Sequence, residues 1–448
     1  MNKIFPAAIS VCLLSACLHM RNPEVSGCFH ADEKHTGLFS ETGYKNLGPV
    51  KWKFQTGGKI FSSPLAAGET VYIGSEDSNL YAIGAKTGDL KWKFHTGGAV
   101  SSSPAVFNDI VYFTSYDGFC YAVDAGSGKE IWKFQTGGEK KVGAKGLWTM
   151  KPAELYMEDL FDFFLSSPVV EMNEEPTVFF GSSDGNLYAL DALKGGLKWK
   201  FNTGGIIHSS PALYEGTVFF GSWDRYFYAI DSKTGREKWK FQTRDQPVMH
   251  LLEGIQASPA VSDSLVYFGA RDGFFYALNV HTGKVVWNYP ADNSWVLTTA
   301  AIKDSTVYFG TSDTYLMTAV NAGTGVKKWT MKTSGYLYSS PAIAGEMIYF
   351  GDFTGNMYAV DLNSAGKKFQ AFSTDSRKAN ATRILNQKGE LDFSFSAGVQ
   401  DLSLYETSVD VMNEFYHLAP IVSSPSVSGN TIYFGSADGC LYALELLN

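Results

Sequence analysis

"SSPAVFNDIVYFTSYDGFCYAVDAGSGKEIWKFQTGG", Ser102 to Gly138, holds one complete unit of a repeat that runs through most of the 448 residues. Four short runs of alternating or β-branched and aromatic residues are separated by turn chemistry at Asn108-Asp109, Tyr116-Asp117-Gly118 and Gly126-Ser127-Gly128. Such runs read as antiparallel strands joined by tight turns. Its opening tripeptide returns as "FSSPLA" at 61, "LSSPVV" at 165, "HSSPAL" at 208, "YSSPAI" at 338 and "VSSPSV" at 422. Counting Pro259, and Ala301 in the proline place of "LTTAAI", the chain carries eight units, spaced 40 residues from Pro64 to Pro104 and 43 from Pro168 to Pro211. Four strands in about forty residues, repeated, predict an all-β, eight-bladed propeller.

Strand order within a blade follows from what an edge tolerates. Proline lacks a ladder donor, so the Ser-Ser-Pro strand belongs at an edge. The last strand, as in Lys51-Trp52-Lys53-Phe54, puts lysines along an edge, a device that blocks strand-to-strand association. The lysine strand is therefore outermost, and the Ser-Ser-Pro strand lines the channel.

Spacing near the rim is strict. Ala82 to Trp92, Ala122 to Trp132, Ala189 to Trp199, Ala229 to Trp239, Ala277 to Trp287 and Ala319 to Trp329 are each ten apart, with a glycine four before each Trp. That glycine suits a hairpin position of positive φ. The pattern seen in "AVDAGSGKEIW" and "AIDSKTGREKW" resembles the tryptophan-docking repeat of pyrroloquinoline-quinone-type eight-bladed propellers, over roughly residues 50–447. Ring closure is legible as well. The eighth unit ends at "LYALELLN" without a Trp strand, whereas "LGPVKWKF" near the start has no Ser-Ser-Pro before it, so the N-terminal strand completes blade eight. Phe369 stands for the seventh Trp, and an extra residue between Asp313 and Ala319 reads as a β-bulge.

The ends and insertions complete the organisation. Residues 1–16 have the basic start and short apolar stretch of an export signal, too short to span a bilayer. Leu14-Ser15-Ala16-Cys17 resembles a bacterial lipobox, which implies lipidation at Cys17; an ordinary secretory signal cut slightly later is the alternative. Residues 17–47 are polar and read as a flexible tether, and 48–448 as the propeller. It is interrupted at 139–164 and 371–420. Pro152 suits a first helical turn in "KPAELYMEDLFDFF", and Leu391, Phe393 and Phe395 alternate as a strand would. Both insertions lie between an outer strand and the next inner strand, hence on one face. They cover either a partner-binding mouth or merely each other.

Chemistry is sparse. The net charge is −8 with no basic stripe, which argues against nucleic acid. Cys28, Cys120 and Cys440 form no disulfide framework. Asp77, Asp117, Asp184, Asp224, Asp272 and Asp438 recur at the same turn, where an Asp bonds the turn backbone. No catalytic residue, metal site or cofactor is expected. Candidate partner-binding residues are Trp223, Arg225, Tyr226, Arg244, Asp245, His250 and Arg271, since aromatic and Arg clusters serve as interface anchors. The plainer reading pairs Arg244 with Asp245 and packs Trp223 on its neighbouring blade. The architecture is similar to that of envelope lipoproteins that serve outer-membrane β-barrel assembly. That resemblance implies a monomeric, lipid-anchored, non-enzymatic scaffold facing the periplasm. The alternative is an oxidoreductase using pyrroloquinoline quinone (PQQ) with calcium, although the adjacent cysteine pair of that group is missing.

Overall fold

The computed structural model describes residues 26–40, 43–146, 153–245, 253–394 and 404–448. The signal segment, Cys17 and His250 lie outside them. Eight four-stranded antiparallel blades form a closed propeller. The strand that follows Ser-Ser-Pro or its equivalent is the inner strand of each blade and the strand in the lysine position is outermost, with Leu38–Ser40 added in parallel inside the inner strand of blade seven. The strand Asn46–Gln55 pairs antiparallel with Cys440–Leu447 and supplies the outer strand of blade eight. Lysines of the outer strands also tie back into their own blade: Lys91 Nζ donates to Thr70 Oγ1 at 2.7 Å, and Lys198 and Lys238 reach Thr177 and Thr217 likewise.

The tripeptide's two hydroxyls have separate tasks. The first serine accepts from a backbone N–H of the adjacent strand in its own blade, as Ser62 Oγ does from Gly74 at 3.1 Å. The second accepts from the preceding blade. Ser63 N–H donates to Ser103 Oγ, Ser103 to Ser167, Ser167 to Ser210, Ser210 to Ser258, Thr299 to Ser340, Ser340 to Ser424, and Ser424 back to Ser63. A hydroxyl is small enough for the converging inner strands, and it satisfies buried amides that no ladder reaches. The Thr299–Ser340 link also corrects the register of blade six: Ala300, not Ala301, occupies the proline place.

At the rim, each Trp lies on the glycine of the next blade's hairpin: Trp52 on Gly88, Trp92 on Gly128, Trp132 on Gly195 and Trp199 on Gly235. A Cβ there would come within 2.6–2.8 Å of the indole, and φ of 68–76° at these glycines also excludes most other residues. The repeated acids are structural. Asp77 accepts from Gly57 N–H at 2.7 Å and from Tyr81 OH at 2.6 Å, and Asp117, Asp184 and Asp224 repeat both bonds.

Three further readings change. Opposite Ala359, where the other blades place Trp, stands Gln370; Phe369 is one residue earlier because blade seven lacks the register shift that precedes Trp elsewhere. The extra residue of blade six is no bulge: the strand Leu316–Asn321 pairs with Thr306–Gly310 without a break, its shift against Lys327–Lys332 is the one the other Trp-bearing blades share, and the turn absorbs the residue with Tyr315 at φ 55°. Over residues 26–40, the expected tether is docked. It circles one mouth of the channel and accepts from the same inner-strand position in successive blades. The donors are Val106 to Gly27, Leu213 to Glu33, Val261 to Lys34, Ile302 to Thr36 and Ile343 to Gly37, at 2.7–2.8 Å. Its binding groups are mainly backbone carbonyls, which polar composition does not reveal, joined by His30 Nε2 on Pro341 O and His35 Nδ1 on Pro259 O. Cys28, His30 and His35 of this segment are buried.

Candidate interaction face

The opposite mouth is closed by the two insertions, which meet there. In the first, Gly143–Lys145 and Tyr156–Glu158 form a hairpin, and the expected helix is not seen among its described residues; Pro152 is not among them. The second forms two helices, α1 (Asp375–Ile384) and α2 (Leu404–Tyr416); between them, at the expected strand, Leu391 makes only an isolated bridge to Leu385, and Phe395 lies outside the described residues. Thr374 caps α1 by accepting from Arg377 N–H. Its hydroxyl also donates to Leu418 O at 3.1 Å, so both ends of the insertion are drawn together. Tyr405 OH of α2 donates to Glu158 O of the hairpin at 2.9 Å. Phe163, Tyr405, Met412 and Phe415 share one apolar cluster with Phe61, Trp295, Tyr338 and Phe353 of the blades.

Beneath the first insertion is a buried charged cluster. Arg271 Nη1 lies 2.6 Å from Asp159 Oδ2, both side chains fully buried. The guanidinium is sandwiched between the rings of Trp223 and Trp295, 4.5 and 4.2 Å from their centroids. Arg271 Nη2 donates to Gln256 Oε1 at 2.6 Å. Gln256 Nε2 donates to Asp162 Oδ1, and His208 Nδ1 is 2.9 Å from the same oxygen, with Ser183 Oγ on its other nitrogen. Glu139 accepts from Ser182 Oγ and Ser183 N–H. Burial works against a charged His208 ring, but the Asp162 carboxylate outweighs it and raises His208 above its ordinary value. Burial likewise raises Asp159, with Arg271 pulling the other way.

The proposed surface residues therefore divide. Arg271 is corrected outright: at 1 % exposure it is the centre of the cluster. The same turn is partly buried in most other blades, but here the insertion brings an acid over it and buries it fully. Trp223 is half-buried beneath Arg271 of blade five. Asp245 pairs with Arg225, not with Arg244, and Glu253 joins them at 2.8 Å. Arg244 is exposed, with its guanidinium 4.3 Å over Phe274 and its N–H on Asp272. Tyr226 is half-buried beside Lys240. Sequence reasoning missed Asp159, Asp162, His208, Gln256 and Trp295. A signal existed: the position before the tripeptide reads Phe61, Ser101, Leu165, His208, Gln256, Leu297, Tyr338, Val422, with the histidine and amide in adjacent blades.

Between the two closed mouths, Phe29 and Phe164 approach the serine ring from opposite sides. They leave about 30 Å³, lined by Ser103, Ser167, His208 and Tyr338 among others. That is room for about one water, whereas sites for cofactor-sized ligands take roughly 300 Å³ or more. A tricyclic quinone does not fit at the serine ring; the recess of about 640 Å³ lined by Cys28, Glu33, Lys34 and Ile302 lies at the mouth that residues 26–40 circle. Among the described residues, no three His, Cys, Asp or Glu side chains are placed to share a metal ion.

Solved structures share the fold. BamB from Moraxella catarrhalis aligns over 89% of this chain and 100% of its own, at 16% identity and a TM-score of 0.61. A quinohemoprotein alcohol dehydrogenase from Comamonas testosteroni aligns over 95% and 80%, at 14% identity and 0.68. A europium-containing methanol dehydrogenase aligns over 94% and 98%, at 14% identity and 0.66. A search of curated proteins finds no match. The model of one family matches residues 42–146, 140–290 and 249–448, nearly the whole propeller. This chain belongs to that family, described as outer membrane protein assembly factor BamB.

Proposed function

We propose that this protein is a non-enzymatic scaffold of the bacterial cell envelope, anchored to the outer membrane through a lipidated Cys17 and facing the periplasm. On this reading it holds partner proteins of β-barrel assembly on the mouth built by the two insertions, with Arg225, Arg244, Asp245 and Tyr226 on the adjoining surface. The observation that carries the proposal is the closed channel. The chain's own segments narrow the channel to about 30 Å³ at the serine ring, and the larger recess of about 640 Å³ lies at the mouth that residues 26–40 circle, so binding surface lies outside the ring's centre. The likeness to quinone-dependent dehydrogenases is one of fold, and the filled channel argues against the oxidoreductase alternative.

The test replaces residues 373–418 with a short Gly-Ser linker, which the close approach of Thr374 and Leu418 permits. The variant should keep a folded propeller by near-ultraviolet circular dichroism and lose its partners in crosslinking and co-purification from native envelopes. Undiminished recovery of the partners overturns the interaction face. Stoichiometric binding of PQQ with calcium by the purified protein, followed by absorbance, overturns the non-enzymatic reading.

A further inference from the structure

Residues 159–164, Asp-Leu-Phe-Asp-Phe-Phe, lie on the blades much as a bound peptide would. The cup that holds them is made by the blades and by the short links before their inner strands. Arg271, between the rings of Trp223 and Trp295, receives Asp159, and His208 with Gln256 receives Asp162. The phenylalanines enter an aromatic wall. The Phe161 ring lies 6.0 Å from Trp295 and 5.8 Å from Tyr336, and Phe163 lies 5.1–5.9 Å from Phe61, Tyr338 and Phe353.

The fit is incomplete at its centre. Asp159 Oδ1 accepts from its own Phe161 N–H at 3.0 Å, so only Oδ2 is left for the guanidinium, 2.6 Å from Nη1 and out of line for a hydrogen bond. Arg271 Nε and Trp223 Nε1 are buried without a partner. Four of the five buried side-chain nitrogen and oxygen atoms without a hydrogen bond among the described residues meet here. A guanidinium takes a carboxylate best through two parallel bonds, which Asp159 does not make. A carboxylate outside that tight turn is free to aim both oxygens at Arg271, and each buried donor it satisfies removes a cost the present arrangement bears. The hairpin that carries the segment to the cup has only two strands, Gly143–Lys145 and Tyr156–Glu158, with Leu155 and Tyr156 exposed. Two-stranded hairpins are marginal on their own.

We propose that the cup of Arg271, His208, Gln256, Trp223 and Trp295 is a docking site for an extended acidic and aromatic segment of a partner protein, and that residues 159–164 occupy it intramolecularly until such a segment displaces them. The chain's own segment shows the chemistry of the occupant: a carboxylate for Arg271, an aromatic ring two residues on, and a second carboxylate for His208 three residues on. The scaffold reading is needed only for the existence of a protein partner, and the contact lies beneath the first insertion, not on the second.

The probe is a fluorescein-labelled peptide of residues 157–164, Met-Glu-Asp-Leu-Phe-Asp-Phe-Phe. Fluorescence anisotropy should show weak binding to the unaltered protein, where the intramolecular segment competes. Asp159→Asn with Asp162→Asn in the protein should tighten binding at least about tenfold, since both charges leave the competitor. Arg271→Met added to that variant should weaken binding at least about tenfold, as should asparagine for both aspartates in the peptide. Should the double asparagine variant fail to fold, hydrogen exchange of the unaltered protein is the second readout. Saturating peptide should speed exchange of the Val142 and Phe161 amides, which donate to Asp162 and Asp159. Absence of binding to both proteins, binding indifferent to Arg271→Met, or unchanged exchange at those amides overturns the proposal. The peptide assay needs no envelope partner, so loss of partners on the 373–418 replacement remains a separate readout.

Discussion

The two mouths of the channel are closed by opposite means. At one, residues 27–40 run around the ring and are held by backbone carbonyls on inner-strand amides. At the other, the insertions are held by side chains: Asp159 on Arg271, Asp162 on His208, and an aromatic cluster around Phe163 and Phe415. Backbone closure depends chiefly on register, with His30 on Pro341 O and His35 on Pro259 O as its side-chain bonds to the blades. Side-chain closure depends on a few residues whose loss is expensive. The difference predicts how each mouth fails.

The largest effect is expected at Arg271. Replacing a buried ion pair by matched apolar groups is often neutral, whereas removing one partner leaves a buried charge and costs about 3–5 kcal/mol. Arg271→Ala should therefore lower unfolding stability by about that amount, and the added loss of stacking between Trp223 and Trp295 works in the same direction. Arg271→Met with Asp159→Leu should recover most of it. Chemical denaturation of the two single variants and the double variant gives the coupling directly. Additive losses would show that the pair does not hold this mouth.

Titration should separate the mouths by sign. His208 is raised in the folded state by Asp162, so its contribution is fully present below the unfolded value of 6.5 and is lost as pH rises through the folded value. His35, buried with its Nδ1 3.0 Å from Pro259 O, is lowered to about 3, chiefly by burial and then by the nearby His30. Its contribution is present above 6.5 and is lost as pH falls from 6.5 toward 3, by up to about 1.4 kcal/mol per pH unit. Acid should therefore loosen residues 27–40, and base should loosen residues 153–164. Hydrogen exchange at pH 4.5, 6.5 and 8.5, corrected for intrinsic rates, should show opposite trends. His208→Gln should flatten the second and spare the first; parallel trends would dissolve the distinction.

Legibility in the sequence follows the same division. The propeller was readable because each blade repeats its signals: tripeptide, turn Asp, hairpin glycine and Trp. One irregular blade, such as blade six with Ala300, could not hide the period. The meeting of the insertions was readable from their equivalent places in two blades. The docked segment 26–40 was not, because it offers carbonyls that every residue possesses. Arg271 looked like a surface anchor because an arginine at a turn between strands reads as solvent-facing, and the acid that pairs with it comes from an insertion that its own blade does not contain. The alternation of Leu391 and Phe393 spans too few residues to make more than the single bridge from Leu391 to Leu385, and it drew attention away from the helix α2 that follows. Its own buried positions, Tyr405, Met412 and Phe415, carry the helical period.

The smallest expected effect is the sharpest test of backbone closure. Glu33 and Lys34 contribute their carbonyls to Leu213 and Val261, while their side chains are only half-buried. Lys34 Nζ lies 5.1 Å over the Tyr214 ring, an exposed contact worth about 0.5 kcal/mol. Glu33→Ala with Lys34→Ala removes two charges from the segment and leaves both carbonyls in place. Its effect should stay within about 0.5 kcal/mol, the range of ordinary surface substitutions. One glycine inserted between the same residues changes no side chain. It shifts the carbonyls of Lys34, Thr36 and Gly37 out of step with Val261, Ile302 and Ile343, and at about 1 kcal/mol for each bond it should cost several times more. Hydrogen exchange of those three amides reads the difference locally. If the double alanine variant exposes them while the insertion does not, side chains hold this mouth too, and the contrast between the two closures is lost.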